Sequence, residues 1–188
     1  YGGVSLNSCL QKGPDLLTPL LKVLYNFRIG KIGVSGDIME MFHRISVDKT
    51  DMHSQRFIWR DCEKNRKPDV YVLQVMSFGA CCSPSLAQLV KNTNALEFKN
   101  DFPRAVKSIT ERHYVDDMLD SVETVEEAIE LAKQVQDIHQ KGNLYIRNWM
   151  SNSPEVITAL GGENSSKSFC QAGQRIEEVI EPDKVLGM

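Results

Sequence analysis

In the stretch Arg112-His113-Tyr114-Val115-Asp116-Asp117-Met118-Leu119-Asp120-Ser121-Val122, two apolar runs flank a pair of adjacent aspartates. The pattern predicts a strand, a tight turn holding Asp116-Asp117, and a returning strand. Carboxylates beside a core are expensive unless a cation neutralises them. Neighbouring strand residues point in different directions, so such a pair offers oxygen to more than one point around an ion. Hard oxygen donors with room left for water and phosphate suit Mg²⁺. Taken alone, an Asp-Asp turn is far more often the cap of an ordinary hairpin.

A second carboxylate lies upstream. Leu16, Leu17, Leu20, Leu21, Leu24 and Phe27 recur at helical spacing and predict a helix over 15–29, with Gly30 ending it. Ile32-Gly33-Val34-Ser35-Gly36-Asp37-Ile38 then reads as a short strand whose glycines admit a close neighbour. Asp37 stands near its end, before a short helical run at Glu40-Met41-Phe42-His43. If the strands of Asp37 and Asp116 are adjacent, Asp37, Asp116 and Asp117 meet at one end of a sheet. Such a cluster suits two Mg²⁺ ions about 3.5–4 Å apart, the arrangement used in phosphoryl transfer. Periodicity permits this arrangement without requiring it.

The remaining elements follow from local pattern. Strands are predicted at Arg56–Trp59 and Val70–Val75, as a hairpin with a long polar loop. Ser83 is placed to cap a helix with Pro84 at its first position, running to about Phe98 and ending before Pro103. Residues 124–140 form an amphipathic helix with a Thr124/Glu127 capping box, closed by Gly142. A strand at 143–148 and a short helix opened by Ser153-Pro154 follow, and 161–183 is a polar stretch without a clear period. Strands and helices mix without regular alternation, so the fold class is α+β, with helices packed on one face of an antiparallel sheet.

Bulk composition bounds the function. The 188 residues are 41% hydrophobic and 25% charged, ordinary for a globular chain. No apolar run approaches the roughly 20 residues that span a bilayer, so no membrane partner is expected. The start at Tyr1-Gly2-Gly3 has neither an initiator Met nor a signal-peptide pattern, and both ends read as cuts through a longer chain. Five cysteines without paired-ligand spacing argue against a zinc site or a disulfide framework and for reduced thiols. A net charge of −3 weighs mildly against nucleic-acid binding. It weighs less against a catalytic domain that must gather carboxylates around metal.

Three ordered signatures carry a resemblance. Gly36-Asp37-Ile38-X-X-Met41-Phe42-His43, Phe78-Gly79-Ala80-X-X-Ser83-Pro84 and Tyr114-Val115-Asp116-Asp117 resemble motifs A, B and C of a reverse transcriptase. The flanks Val4-Ser5-Leu6-Asn7, Gly13-Pro14-Asp15-Leu16-Leu17, Phe57-X-Trp59-Arg60 and Ser151-Asn152-Ser153 are similar to the BEL/Pao class of long-terminal-repeat retrotransposons. The resemblance implies a right-hand polymerase palm with part of the fingers, one fragment over 1–188, from an RNA-directed DNA polymerase. It implies two Mg²⁺ ions, replaceable by Mn²⁺, held by Asp37 and Asp116, with Asp117 a weaker ligand and the Ile38 carbonyl facing metal or triphosphate. Phe42, Phe78 and Gly79 would meet the incoming dNTP, with Phe42 colliding with a 2′-hydroxyl. Tyr114 would lie near the primer end, and Arg56 and Arg60 along the primer–template.

The implied partners are an RNA or DNA template with its primer, dNTPs, and the rest of a pol polyprotein: fingers, thumb, RNase H and integrase. The implied location is cytoplasmic, inside the cell or in virus-like particles. For His43, packing is favoured over proton transfer; for the basic run Arg56, Arg60, Lys64, Arg66 and Lys67, a solvated loop is the default. One departure stands out: relatives carry a lysine near Arg147-Asn148-Trp149, and arginine is a poor proton donor. A decayed element kept as a binding module is the alternative from another class, opposed by the three intact carboxylates. A nucleotide cyclase on a similar palm lacks its characteristic turn here.

Overall fold

A computed structural model describes residues 3–161. In chain order the elements are α1 (Leu6–Cys9), α2 (Leu20–Phe27), β1 (Ile32–Ile38), β2 (Arg56–Trp59), β3 (Asp69–Val72), α3 (Ser83–Leu96), α4 (Pro103–Glu111), β4 (His113–Tyr114), β5 (Asp117–Val122), α5 (Val125–Lys141), β6 (Ile146–Ser151) and α6 (Pro154–Ala159). Single turns of 3₁₀ helix occur at Met41–Arg44 and Asp51–Gln55. The chain divides into two compact units, one of residues 1–16 and 40–90, the other of 17–39 and 91 onward.

The second unit holds an antiparallel sheet in the order β4-β5-β1-β6. Alternation along β1 divides its faces. Val34 packs with Ala128 and Ala132 of α5 and Val156 of α6, and Ile129, Trp149 and Leu160 close around them. Each fully buried valine here contributes roughly 1.5–3 kcal/mol. On the opposite face, a Cβ on Gly33 would sit 3.0 Å from the Phe27 ring of α2. The main helical layer therefore covers one face as expected, while the short α2 lies along β5 and β4 on the other, where the Ser121 hydroxyl donates to the Asn26 carbonyl at 3.2 Å.

Helix α5 matches the sequence reading closely. Thr124 accepts from the Glu127 amide while Glu127 reaches back to the Thr124 amide, and Ala128, Leu131, Ala132, Val135 and Ile138 form its buried stripe. Gly142 does close the helix, with φ of −91°, so left-handed freedom is not what selects glycine there. Space is: a Cβ would lie 2.7 Å from the Asn94 side chain, which donates to the Ile138 carbonyl at 2.8 Å.

Several expectations are corrected. The first long helix is shorter, Leu20–Phe27, because Pro19 lacks an amide donor and pushes Thr18 out of helical geometry. Pro103 does more than stop a helix. It is the first residue of α4, which the sequence reading missed and which buries Ala105, Val106 and Ile109. Ser83 is not a side-chain cap; it is the first helical residue, and its hydroxyl donates to the Ser77 carbonyl at 2.8 Å. The last strand is displaced to Ile146–Ser151, because Asn143 turns the chain at φ +57° and the Leu144 amide is still bonded to the His139 carbonyl. Among the described residues, Cys9, Cys62, Cys81 and Cys82 are free. The polar stretch from 162 to 183 lies outside the described residues.

The first unit contains the predicted hairpin, β2 paired with β3 from Arg56↔Val72 to Trp59↔Asp69. Its second strand ends at Val72, short of the expected Val75, which bridges to Ser46 instead.

Candidate active site

The aspartates are placed by the two central strands of the second unit's sheet, β1 and β5, and by the turn from the edge strand β4. Asp37 on β1 lies directly opposite Asp117 on β5, and Asp117 in turn faces Tyr114 on β4. The turn between β4 and β5 consists of Val115 and Asp116 alone, so Asp117 belongs to a strand and not to the turn as expected. Val115 takes φ +56°, a costly conformation for a β-branched residue, which the tight reversal imposes. The Ile38 amide donates to the Asp116 carbonyl at 3.0 Å, tying the turn to the end of β1. The Ile38 side chain is buried.

Electrostatics show how close these groups are in effect. Burial pushes the Asp116 carboxyl above its ordinary range, and the negative charge of Asp37 pushes it further. Lys91 of α3 opposes that rise. The lysine is itself buried at 1% exposure, and burial holds its ammonium down to about 7. Asp37 has a cationic partner of its own: Arg147 on β6 donates from Nε to Asp37 Oδ2 at 2.9 Å.

Among the described residues, no group of three His, Cys, Asp or Glu side chains is gathered as a ready metal cluster. The donor set nevertheless fits a divalent cation. Burial first and the Asp37 charge second raise the Asp116 carboxyl, and Asp37 is already met by a guanidinium, so a cation would relieve the charge gathered here. Asp37, Asp116 and Asp117 are the residues that would hold it.

Beneath the turn lies a buried histidine pair. His113 of β4 and His139 of α5 approach Nε2 to Nε2 at 3.3 Å, and His113 Nδ1 lies 3.1 Å from the Ser108 carbonyl. A carbonyl only accepts, so His113 Nδ1 carries the proton and its Nε2 accepts from His139 Nε2. His139 Nδ1 is then a buried acceptor with no partner among the described residues.

The other predicted residues belong to the first unit. Phe42 and Phe78 meet edge to face at 5.0 Å, and His43 packs on Phe78 at 5.1 Å, in keeping with a packing role for His43. Phe78 remains 67% exposed. Gly79 takes φ +89°, a conformation that glycine adopts without strain. Asn7 brackets this turn, donating from Nδ2 to the Gly79 carbonyl and accepting from the Cys81 amide, both at 2.8 Å. Arg56 contacts His53, and Arg60 is exposed.

Two contributors escaped the sequence reading, and a third was noticed without its partner. Asn7 was visible only as part of a flanking signature, since nothing local reveals its partner across 72 residues. Lys91 had a signal: it stands four residues from both Ala87 and Ala95, on the buried stripe of α3. Arg147 was noticed, but its bond to Asp37 depends on strand register.

Residues 8–149 match the family model described as reverse transcriptase (RNA-dependent DNA polymerase). Among solved structures, the chain is similar to a foamy viral protease-reverse transcriptase in complex with an RNA/DNA hybrid, with a TM-score of 0.52 and 20% identity. That likeness covers 69% of this chain and 15% of the viral one, and at this identity it speaks for the fold. No match was found among curated proteins.

Proposed function

Because the chain belongs to the reverse transcriptase (RNA-dependent DNA polymerase) family, we propose that its sheet carries the nucleotidyl-transfer site of an RNA-directed DNA polymerase. One observation carries the reading most directly: Asp37 and Asp117 stand opposite each other in register while Asp116, in the adjoining turn, feels the charge of Asp37. The chain spans about one-seventh of the viral relative, so the activity is assigned to the polymerase of which this domain forms part.

In this reading, Asp37, Asp116 and Asp117 hold two Mg²⁺ ions, with the Ile38 carbonyl beside them. Bound Mg²⁺ supplies charge that favours attack of the primer 3′-hydroxyl on the α-phosphate and departure of pyrophosphate. Burial raises the Asp116 carboxyl, and a cation held there would favour its charged form. Arg147 exchanges its contact with Asp37 for the triphosphate. Phe42 limits the space at the sugar, Phe78 and Gly79 shape the turn under the new base pair, Tyr114 supports the primer end, and Arg56 and Arg60 contact the primer–template. The flanking signatures assign the parent element to the BEL/Pao class, with action in the cytoplasm or in virus-like particles.

The Arg147–Asp37 bond favours one second reading, a domain that binds nucleic acid without catalysis. The test is dNTP incorporation on poly(rA)/oligo(dT) with Mg²⁺, using the chain joined to its flanking polymerase segments and Asp116→Asn as control. Incorporation lost in the variant supports the polymerase. A folded protein that binds primer–template and incorporates nothing supports the binding-only reading.

A further inference from the structure

Three elements of the second unit converge beneath the β4–β5 turn. On α3, Asn94 donates to the Ile138 carbonyl of α5 at 2.8 Å and Ala95 is fully buried, so this end of α3 is seated on α5. The next residue of α5, His139, meets His113 of β4 at 3.3 Å, and Asp116 follows His113 by three residues. Lys91 stands one turn before Asn94 and Ala95, on the same side of α3, and is buried at 1% exposure. Its charge is felt by Asp116 in the turn, by His113 on β4 and by His139 on α5.

Packing does not account for a lysine at this position. Leucine or methionine fills a similar volume, whereas an ammonium withdrawn from water is costly unless it is paired. Among the described residues, Lys91 makes no hydrogen bond or ion pair. The two imidazoles give it no counter-charge, because burial first and the Lys91 charge second disfavour protonation of both. Asp116 is the anion whose field supports the ammonium.

Two of the three candidate ligands therefore have a cation of the protein's own. Arg147 meets Asp37 directly, and a guanidinium keeps its charge throughout the ordinary pH range. Lys91 acts on Asp116 through the interior. Burial holds its ammonium down to about 7, so its charge is present in mild acid and absent in mild alkali.

We propose that Lys91 is a positioning residue for the candidate metal site: its internal charge stands in for a cation at Asp116 and lowers the affinity of the site for a divalent cation whenever the lysine is protonated. The proposal rests on the reading of Asp37, Asp116 and Asp117 as cation ligands. It links cation loading to pH through a residue that is not itself a ligand.

The experiment is titration of Mn²⁺ into the purified 188-residue chain, followed by electron paramagnetic resonance at pH 6 and at pH 8.5. Lys91→Met should tighten binding at pH 6 by about threefold or more and leave it unchanged at pH 8.5, where the parent lysine has lost its charge. Arg147→Gln should tighten it at both, since arginine does not titrate there. A Lys91 that only supports the fold would change affinity by the same factor at both pH values or not at all, and either result overturns the proposal. Lys91→Leu repeats the test where the methionine variant fails to fold. The parent gives a second reading without any variant: calorimetry in two buffers of different ionisation heat should show protons released on Mn²⁺ binding near pH 7 and none at pH 8.5. No release near pH 7 overturns the proposal as well. Asp116→Asn separates the two readings. Mn²⁺ binding that survives this variant unchanged removes the metal reading and the proposal with it, whereas Asp116-dependent binding that ignores Lys91 removes the proposal alone.

Discussion

Arg147 and Asp37 are register partners across β6 and β1, and the arginine Nε stands 2.9 Å from the Asp37 carboxylate. A guanidinium thus holds the carboxylate that a metal would use. Both side chains are partly solvated, at 51% and 27% exposure, so the pair is separable and competes with a cation without excluding it.

Arg147→Gln should therefore tighten divalent cation binding about three- to tenfold, as one competing charge is removed. Titration of Mn²⁺ by electron paramagnetic resonance checks this. Unchanged affinity would mean that Asp37 is not a ligand.

Lys91 should make the fold weaker in mildly alkaline and neutral solution than its core warrants. Its folded value of about 7 lies below the ordinary 10.5. The unfolded chain therefore binds more protons between those values, and stability rises as pH rises from 7 towards 10.5. Lys91→Met should raise the Tm at pH 7 and flatten the profile across this window. The same variant should raise the Asp116 carboxyl further, since Lys91 opposes its rise. Carbon-13 NMR of the aspartate carboxyls reads the second effect.

The histidine pair should act in acid. Burial lowers both groups, His139 to about 3 and His113 well below its ordinary value. The unfolded chain takes up more protons below pH 6.5, so stability falls as pH falls through that window. His139→Gln should reduce the slope of stability against pH there by up to one proton, about 1.4 kcal/mol per pH unit. Urea denaturation at a series of pH values measures it; an unaltered slope would show that His139 does not titrate on unfolding.

Asp120 is fully buried on β5, 2.7 Å from Arg104 and 3.4 Å from Arg112. It joins α4 to the sheet, and its removal leaves the largely buried Arg112 guanidinium without this counter-charge. Asp120→Ala should cost about 3–5 kcal/mol. Replacing Arg104, which is partly exposed, should cost less, because its own charge is already in contact with water. Chemical denaturation of the two variants gives the comparison.

Much of the sheet that carries the candidate site was legible in the sequence. The Tyr114–Asp117 signature and the β1 stretch ending in Asp37-Ile38 were readable because strand period and turn residues are local properties. Helix α5 was readable for the same reason, since capping box and apolar stripe both fall within one segment. Helix α4 was missed because Pro103 signals a stop and a start equally, and only the burial of Ala105, Val106 and Ile109 against their surroundings decides between them.

The sequence by itself determined most of the element types, the order of the three signatures and which carboxylates are candidates, because these depend on residues near one another in the chain. Tertiary structure alone decided that Asp37 faces Asp117, that Arg147 reaches Asp37, and that Lys91 lies buried in the field of Asp116. Each of those depends on register and burial, which arise when distant segments pair and exclude water. A residue's charge is written in its side chain; how strongly that charge is felt depends on what packs around it.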